Sequence, residues 1–517
     1  MTAPADLVLT DATVHTLADP DGTHGAVAVR DGRIVRLGDD YDVSFLVGVD
    51  TRVVECGGGV VLPGFVDAHT HLDALGRRLV HADLSAAADR DAALDLLADR
   101  AAEVDPGEWV LGYGYDESEW PADERRLLTR ADLDAVSHDG PVAAVREDMH
   151  AVSVDSTALD ALDVGDVPGV RREDGEPTGV LVEAAAEAVY RGTAPDRDEA
   201  RALLRAAADH AVARGVTAVH DMVRRPAVAR AHRDLAQSGD LPLRVRVQYH
   251  RDHLDAVEAT GLATNAGGRV RTGAIKAFAD GSLGAHTARL SAPYADAPGE
   301  RGEWVTDPDD LDAFVARVDD LDLQAAVHAI GDEAVDAVLD AVAASRGTGA
   351  SPAADHRHRV EHAELAADDA IDRMADLGVV ASVQPNFLKW AGEDGLYESR
   401  LGDRQPTNRF RALADAGVPL AFGSDCMPLD PLFGVHHAVT APHPAQRLDV
   451  TEALRAYTRG AAYAGFDEDR LGTVERGKRA DLVVLDRSPW ERSDAIDDIA
   501  VEATVVDGAV VYEEGDD

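Results

Sequence analysis

The stretch VVLPGFVDAHTHLD, residues 60–73, decides how the rest of the chain is interpreted. It predicts an apolar strand over Val60 to Phe65 that runs into His69-Thr70-His71. Because side chains alternate along a strand with a period of two, both imidazoles lie on one face at the carboxyl end of the strand. Two histidines in this position predict a pair of metal ligands, although one such pair is weak support because histidine is common in cores and on surfaces.

Downstream of this stretch, apolar strands alternate with helices rich in alanine and aspartate, such as Leu311 to Val318 and Glu333 to Ala343. About eight strand–helix units predict an α/β fold, a (β/α)8 TIM-like barrel, in which catalytic residues stand at the carboxyl ends of the strands. The later candidate strands are Val216 to Val219, Leu243 to Gln248, Ala274 to Phe278, Gln324 to His328, Arg359 to Glu361, Val379 to Gln384 and Pro419 to Gly423.

Short strands and turns at both ends of the chain predict one small β-sandwich built from both termini. Residues 1–60 carry the hairpin signal Asp31-Gly32, residues 471–517 carry Asp507-Gly508, and the barrel occupies 61–470.

An insertion after the first barrel strand is predicted over about residues 75–210. The gap from His71 to Gly215 is several times the length of a strand–helix unit, which is about 30 residues. The insertion contains GYGYDESEWP (112–121), a strand from Val142 to Arg146 and a helix from Glu183 to Arg191. A lid over the barrel mouth and a packed β hairpin both fit this pattern.

The net charge of −46 argues against binding to nucleic acid or to an anionic membrane surface, since both need a cationic face. The 50 basic residues include only three lysines, and 96 residues are acidic. Dense surface carboxylates with little lysine favour a halophilic source, where salt screens the self-repulsion of the chain.

Cys56 and Cys426 are too few for a disulfide framework. The amino terminus MTAPADLVLT has neither the basic nor the apolar region of a signal peptide, and no stretch reaches the ~20 apolar residues of a membrane span. A soluble cytoplasmic protein is therefore expected.

Lys276 lies in the apolar strand GAIKAFADGS of a chain that has almost no lysine. Burying a charged ammonium is costly unless it is paired, and buried lysines lose their proton readily. A neutral Lys276 could react with CO2 to give an anionic carbamate that bridges two cations. The alternative is an ion pair with Asp280 or Glu361.

Three more polar residues end predicted strands: His328, His362 and Asp425. Neutral imidazole suits zinc and similar metals, and a carboxylate can bind metal and move protons. Each residue also has a structural explanation, a satisfied core histidine for the first two and a helix N-cap for Asp425. Cys426 is expected to be a buried, inert thiol.

The order HxH, Lys, His, His, Asp resembles the amidohydrolase superfamily, and other blocks look like its YtcJ-like branch, the amidohydrolase family 3 type that includes N-substituted formamide deformylases. The resemblance covers nearly the whole chain. The blocks are GYGYDESEW, RREDGEPTGVLVE (171–183), GVTAVHDM (215–222), KAFADGSLGAHTARL (276–290), VHAIGDEAVDAVLDA (327–341), VASVQPNF (380–387), GSDCMPLDPL (423–432), EALRAYTRGAAYAG (452–465) and GTVERGKRADLVVLD (472–486).

This resemblance implies a carbamylated Lys276 and five further metal ligands, His69, His71, His328, His362 and Asp425. His150 looks like a substrate-facing histidine of the branch. Met149 stands where the branch usually has glycine, and His286 stands where a small or basic residue is usual, so the departures from the branch pattern concern contacts to the substrate and not the metal ligands.

The expected function is hydrolysis of an amide-type, non-peptide carbon–nitrogen bond in a small molecule by metal-activated hydroxide, with Asp425 and His150 as catalytic residues. The expected cofactor is a divalent metal, zinc by preference, as one or two ions. A homodimer is a family expectation. The alternatives are a binding protein without catalytic activity and an aminohydrolase or deaminase.

Overall fold

The computed structural model describes residues 3–162, 164–165, 167–347, 356–392, 395–402 and 406–515. Its centre is one sheet of eight parallel strands, flanked by a six-stranded sheet from the insertion and by two sheets that contain strands from the ends of the chain. Among the described helices, none is long and apolar enough to cross a lipid bilayer.

The predicted (β/α)8 barrel is confirmed. The strands follow one another around the barrel in chain order, and most of their residues are buried, as expected for parallel strands covered by helices. The strands are Phe65–Thr70, Val216–Val223, Arg244–His250, Val270–Phe278, Ala325–Ala329, Arg359–His362, Val380–Val383 and Leu420–Phe422.

The predicted first strand, Val60 to Phe65, was misplaced by several residues. Val60–Pro63 forms a separate strand that pairs with Leu482–Leu485 in a terminal sheet, and the barrel strand begins at Phe65. A Cβ at Gly64 would collide with the side chain of Thr217, so the close approach of the neighbouring strand requires glycine between the two strands.

The loop after the last strand meets the first strand. The Asp425 amide donates to His69 O at 2.8 Å, and the Ser424 amide donates to Asp67 Oδ1 at 3.0 Å. These bonds draw the carboxyl ends of the two strands together and bring residue 425 beside residue 69.

Helices cover the outside of the barrel, and several begin where proline occupies the first turn, as at Pro226, Pro308 and Pro431. The two helices predicted from the sequence lie within Pro308–Asp320 and Asp332–Gly347. The others around the barrel are Leu72–Val80, Arg197–Ala213, Pro226–Ser238, Leu254–Thr260, Asp368–Leu377, Leu396–Leu401, Phe410–Asp415, Pro431–Thr440, Val450–Arg455 and Ala461–Ala464, with a π-helical turn at Ala456–Gly460 and 3-10 turns at Arg251–His253 and Pro385–Trp390.

Strands from both ends of the chain build the terminal sheets. One sheet has the order Arg33–Gly38, Ala26–Arg30, Leu7–Thr10, Arg52–Glu55, with the helix Asp40–Ser44 nearby. The other has the order Ala509–Glu513, Val501–Val506, Leu482–Leu485, Val60–Pro63, Thr13–His15, Thr23–His24, and a 3-10 turn at Ile496–Asp498. Buried residues of the two sheets share one apolar cluster.

The segment between the first two barrel strands contains a six-stranded sheet. The predicted strand Val142–Arg146 is present, and the predicted helix at 183–191 is found at Ala186–Gly192. The strands, in sheet order, are Val170–Glu173, Glu176–Val182, Ala151–Val154, Val142–Arg146, Val110–Tyr115 and Ala82–Asp83, with helices Arg90–Ala101, Arg130–Leu133 and Ser156–Ala161 and the 3-10 turn Glu117–Glu119.

Candidate metal centre

His69, His71 and Asp425 meet at the carboxyl ends of the first and last barrel strands. Each offers one ligand atom, and these atoms lie within 4.8 Å of one another. His71 Nε2 lies 3.3 Å and His69 Nε2 lies 3.6 Å from Asp425 Oδ1. Both distances exceed the usual N–H···O hydrogen-bond length of about 2.7–3.2 Å, so the three groups surround a common point without hydrogen-bonding to one another.

His328 and His362 stand beside this group, at the ends of the fifth and sixth strands. The ring centroid of His362 lies 4.8 Å from that of His69 and 4.5 Å from that of His328. All three of these side chains are buried. The structure thus places the four predicted histidine ligands side by side at one end of the barrel.

Three of these imidazoles have one ring nitrogen fixed by a hydrogen-bond acceptor, which leaves the other nitrogen with its lone pair. Metal-ligating histidines are oriented in this way. Burial lowers the pKa of all three well below 6.5, so they are neutral and able to bind a cation. The pairs are His69 Nδ1 with Glu361 Oε2 at 2.6 Å, His328 Nε2 with Gly281 O at 2.9 Å, and His362 Nδ1 with Gln384 Oε1 at 2.8 Å.

Lys276 extends from the fourth strand into the same region. Among the described residues its buried Nζ has no hydrogen-bond partner and no ion pair, and it lies 4.7 Å above the Phe278 ring. Burial lowers the pKa of Lys276 to about 8. Neither alternative partner is bonded to it, because Asp280 accepts backbone amides and Glu361 is hydrogen-bonded to Arg359 and His69.

Asp425 is buried, and its Oδ1 has no hydrogen-bond donor among the described residues. Burial raises the pKa of this carboxyl to about 7. It does not cap a helix, because the next helix, Pro431–Thr440, is capped by Asp430. The thiol of Cys426 is 2.8 Å from Thr70 Oγ1, and burial raises its pKa, as expected for an inert cysteine.

These observations fit a divalent cation. Within the described part of the chain, the site combines neutral imidazoles, a carboxylate oxygen without a donor and an amine without a partner, all buried in one place. Buried polar atoms of this kind usually have partners, so their absence needs an explanation, and a metal ion supplies one.

A second group, Asp319, His356 and His358, also brings ligand atoms within 4.8 Å of one another. It lies at the amino-terminal end of the sixth strand, away from the first group. Here His358 Nε2 is hydrogen-bonded to Asp319 Oδ1 at 2.7 Å, and His356 Nδ1 contacts the same oxygen. Direct hydrogen bonds already satisfy these atoms, so the first group fits a metal better.

His150 reaches the metal-centre region from the insertion. Its ring centroid lies 5.8 Å from that of His328, and its Nδ1 lies 3.0 Å from Glu183 Oε1. Burial by itself would lower the pKa of His150, but the charge and hydrogen bond of Glu183 raise it to about 9. His150 is therefore a cationic hydrogen-bond donor near neutral pH.

A cavity of about 420 Å³ opens beside these residues. One part is polar, with His150, Asp148 and Arg146 from the insertion, and the three guanidinium nitrogens of Arg146 pair with Asp116, Glu117 and Asp148. The other part is apolar and lined by Leu283, Ile330, Phe387, Trp390, Leu396, Tyr397 and Met427.

The two departures from the branch pattern are both in left-handed backbone. Met149 has φ of 61° and His286 has φ of 58°. The first value explains why glycine, which adopts this conformation readily, is usual at position 149. His286 Nε2 lies 3.1 Å from Asp296 Oδ1 and is partly exposed.

Sequence reasoning did not identify the residues that orient the histidines, among them Glu183, Gln384 and the buried pair of Arg359 with Glu361. Glu183 closes the block RREDGEPTGVLVE, and Gln384 follows the seventh strand. The sequence signal for these two orienting residues was a polar side chain at the end of a motif block and another directly after a barrel strand.

Comparison with known proteins places the chain in a family. Residues 52–512 match the amidohydrolase family. The chain belongs to this family. The amidohydrolase is 31% identical to a putative amidohydrolase, YtcJ, of Bacillus subtilis, over 97% of this chain and 98% of that protein. It is 29% identical to N-substituted formamide deformylase of Arthrobacter pascens, over 99% of each chain.

A solved structure of the same kind is an uncharacterized metal-dependent hydrolase from Pyrococcus furiosus. It is 30% identical to this amidohydrolase, covers 94% of this chain and 99% of its own, and superimposes with a TM-score of 0.76. The amidohydrolase is accordingly a metal-dependent hydrolase that acts on non-peptide carbon–nitrogen bonds of small molecules.

Proposed function

We propose that this amidohydrolase binds one or two zinc ions and hydrolyses a small, uncharged N-substituted amide. The observation that carries the proposal is the group His69, His71 and Asp425, whose ligand atoms converge within 4.8 Å without direct hydrogen bonds. His328 and His362 would complete the ligands, and a carbamylated Lys276 would bridge two ions.

The surroundings of Lys276 support carbamylation. Its Nζ is buried, unpaired among the described residues and has a pKa lowered to about 8, so a substantial share of the amine is neutral at physiological pH. The neutral amine attacks CO2 and loses one proton, which gives an anionic carbamate with two oxygens. That anion would compensate the charge of the cations it binds.

A bound zinc ion lowers the pKa of water from 15.7 to about 7 and polarises a carbonyl oxygen. Asp425, whose pKa is raised to about 7, is suited to take a proton from the attacking water and to deliver it to the leaving nitrogen. His150, held protonated by Glu183, donates a hydrogen bond to the oxygen on which negative charge develops.

The cavity favours a substrate without charge and with an apolar group on nitrogen. Both cationic side chains that the described residues place in its lining are already paired, Arg146 with three carboxylates and His150 with Glu183, and aromatic side chains such as Phe387 and Trp390 line the other side. The similarity to N-substituted formamide deformylase supports the same substrate class.

We further propose a cytoplasmic protein adapted to high salt, working as a homodimer on its small-molecule substrate without nucleic acid or membrane partners. The net charge of −46 supports the salt adaptation and disfavours both anionic partners.

The test is Asp425→Asn, assayed on N-alkyl and N-benzyl formamides and on N-formyl amino acids as charged competitors. We expect kcat to fall roughly 10²–10⁴-fold, with metal content retained through the remaining ligands. The Asp234→Asn variant, which removes an ion pair with the exposed Arg197, is the matched control and keeps full activity.

Unchanged turnover in Asp425→Asn would remove the assigned base. Preference for the charged substrates would contradict the proposed substrate class. Release of ammonia from an amino-substituted ring, with no amide hydrolysis, would favour the deaminase alternative.

A further inference from the structure

A second cavity, of about 340 Å³, lies at the end of the barrel opposite the candidate metal centre. Four arginines line it, all at or near the amino-terminal ends of the third and fourth barrel strands, where parallel strands begin. They are Arg244, Arg246, Arg269 and Arg271. The cavity is also lined by Asp467 and by apolar residues that include Ala462 and Leu471.

Positive charge exceeds negative charge around this cavity. Among the ion pairs of the described residues, the four arginines share three carboxylates, those of Asp467, Asp481 and Asp507. Two more arginines, Arg470 and Arg479, pair with the same carboxylates. Guanidinium groups therefore outnumber their carboxylate partners by two to one, in a chain whose net charge is −46.

Arg246 is the most deeply buried of the four, and its two terminal nitrogens bond Thr272 O, Asn265 Oδ1 and Asp467 Oδ2. It is only 3% exposed, and its Nε has no hydrogen-bond acceptor among the described residues. Its ion pair with Asp467, at 2.9 Å, does not offset its burial, and its pKa falls to about 10, partly because Arg271 carries the same charge. A buried cation with an unsatisfied donor is costly, so an additional anion would stabilise it.

We propose that this cavity binds a phosphate-type oxyanion, as free phosphate or as the phosphate group of a small molecule. Planar guanidinium groups donate paired hydrogen bonds to phosphate oxygens. The excess of several positive charges favours a doubly charged anion over a single carboxylate. A bound anion would stabilise the junction of the barrel with a terminal sheet, because Arg244 also bonds Asp481, at 2.5 Å, next to the strand Leu482–Leu485.

The rival explanation is that the arginines only hold the barrel and the terminal sheet together by ion pairs. The two explanations differ in their response to phosphate at constant ionic strength. At millimolar phosphate, too dilute for the general stabilising effect of this anion on proteins, ion pairs alone gain nothing that chloride does not give, whereas a phosphate site raises the unfolding temperature through binding to the native state.

The experiment is calorimetric titration of the metal-loaded enzyme with inorganic phosphate and, separately, with glycerol 3-phosphate, with NaCl holding ionic strength constant. We expect one phosphate per chain and a raised unfolding temperature. Arg271→Gln should weaken binding about tenfold or more, since a hydrogen bond to a charged group is lost. Arg317→Gln is the matched control, because Arg317 pairs with Asp255 and Glu258 on the surface and its loss should leave binding unchanged.

Phosphate binding at the metal centre would persist in Arg271→Gln, so the difference between the variants isolates the arginine cavity. If Arg271→Gln fails to fold, Arg269→Gln makes the same test. Tighter binding of glycerol 3-phosphate than of phosphate identifies an organic ligand, and the reverse identifies the free ion. No phosphate-specific heat, or equal affinity in wild type and both cavity variants, overturns the proposal.

Discussion

Lys276 is one of three lysines in the chain, and its surroundings give it a testable chemical state. If it is carbamylated, native mass spectrometry should find the folded protein heavier by one CO2, and Lys276→Ala should lack this mass and lose about one metal ion per chain. The matched control is Lys478→Ala, at a lysine that bonds backbone carbonyls near the terminal sheet. Full metal occupancy in Lys276→Ala would contradict the bridging role.

The His150–Glu183 pair predicts a pH dependence. The folded pKa of His150, about 9, lies above its unfolded value of about 6.5, so the pair's contribution to stability is fully present below about pH 6.5 and is lost as pH rises through 9. Glu183→Gln should therefore flatten the fall of Tm between pH 6.5 and 9. It should also lower kcat by about 10–100-fold, the usual effect of removing an orienting partner.

Glu187→Gln is the control for that experiment, because Glu187 is a neighbouring carboxylate that pairs with Arg224. It should keep the wild-type slope of Tm against pH. The idea fails if Glu183→Gln and Glu187→Gln give the same pH profile.

At the level of single residues, the sequence predicted those that carry recognisable chemistry at strand ends, such as His69 and Lys276. It did not predict Gln384 or Glu183 as orienting partners. Their roles depend on which loops meet in space, and a pairing between the insertion and another part of the cavity leaves no periodic signal along the chain.

At the scale of the element, the first barrel strand shows where pattern reasoning fails. The run Val60 to Phe65 is almost continuously apolar, and its pattern predicts one strand. The structure divides it at Gly64 into strands of two different sheets. Hydropathy does not show this division, because both halves are buried and an apolar pattern does not record which sheet a buried strand joins. The other barrel strands were predicted within a few residues, except that Val216–Val223 and Val270–Phe278 are longer.

The contact that closes the barrel predicts how adding one methyl group at Gly423 changes stability and metal affinity. A Cβ at Gly423 would collide with the backbone nitrogen of His69, where the last strand meets the first. We expect Gly423→Ala to cost about 1–3 kcal/mol of unfolding free energy, by overpacking, and to reduce metal affinity by displacing His69. Denaturant unfolding and metal titration measure the two effects.

Gly299→Ala is the control for this substitution, because a Cβ there meets nothing within 4 Å. Equal stability and equal metal affinity in both alanine variants would show that the first and last strands do not need this close approach.

At the scale of the molecule, the charge of −46 predicts strong salt dependence. The Debye length falls from about 10 Å at 0.1 M to about 3 Å at 1 M salt, which screens repulsion among surface carboxylates. Tm should therefore rise with NaCl, by about 2 °C or less per kcal/mol of repulsion relieved in a chain of this length. Sucrose at matched osmolality separates screening from preferential exclusion, and a Tm that does not change with salt would refute the halophilic interpretation.

The architecture of the whole chain followed from alternation of strands and helices, and from turn signals at both ends. The six-stranded sheet inside the insertion did not, because several of its strands are short or irregular: Ala82–Asp83 has two residues, and the pairing of Val170–Glu173 with its neighbour shifts register. Pairing of such strands depends on contacts that a local pattern does not contain.

The insertion has a consequence for how this protein can change over generations. The candidate zinc ligands come from the barrel strands and the loops that follow them, whereas Arg146, Asp148 and His150, on one side of the cavity, come from the insertion. Mutations that reshape the insertion can therefore explore new substrates while the hydrolytic apparatus is inherited intact. Grafting the insertion of one homologue onto the barrel of another is accordingly a direct route to exchanging substrate preference in the laboratory.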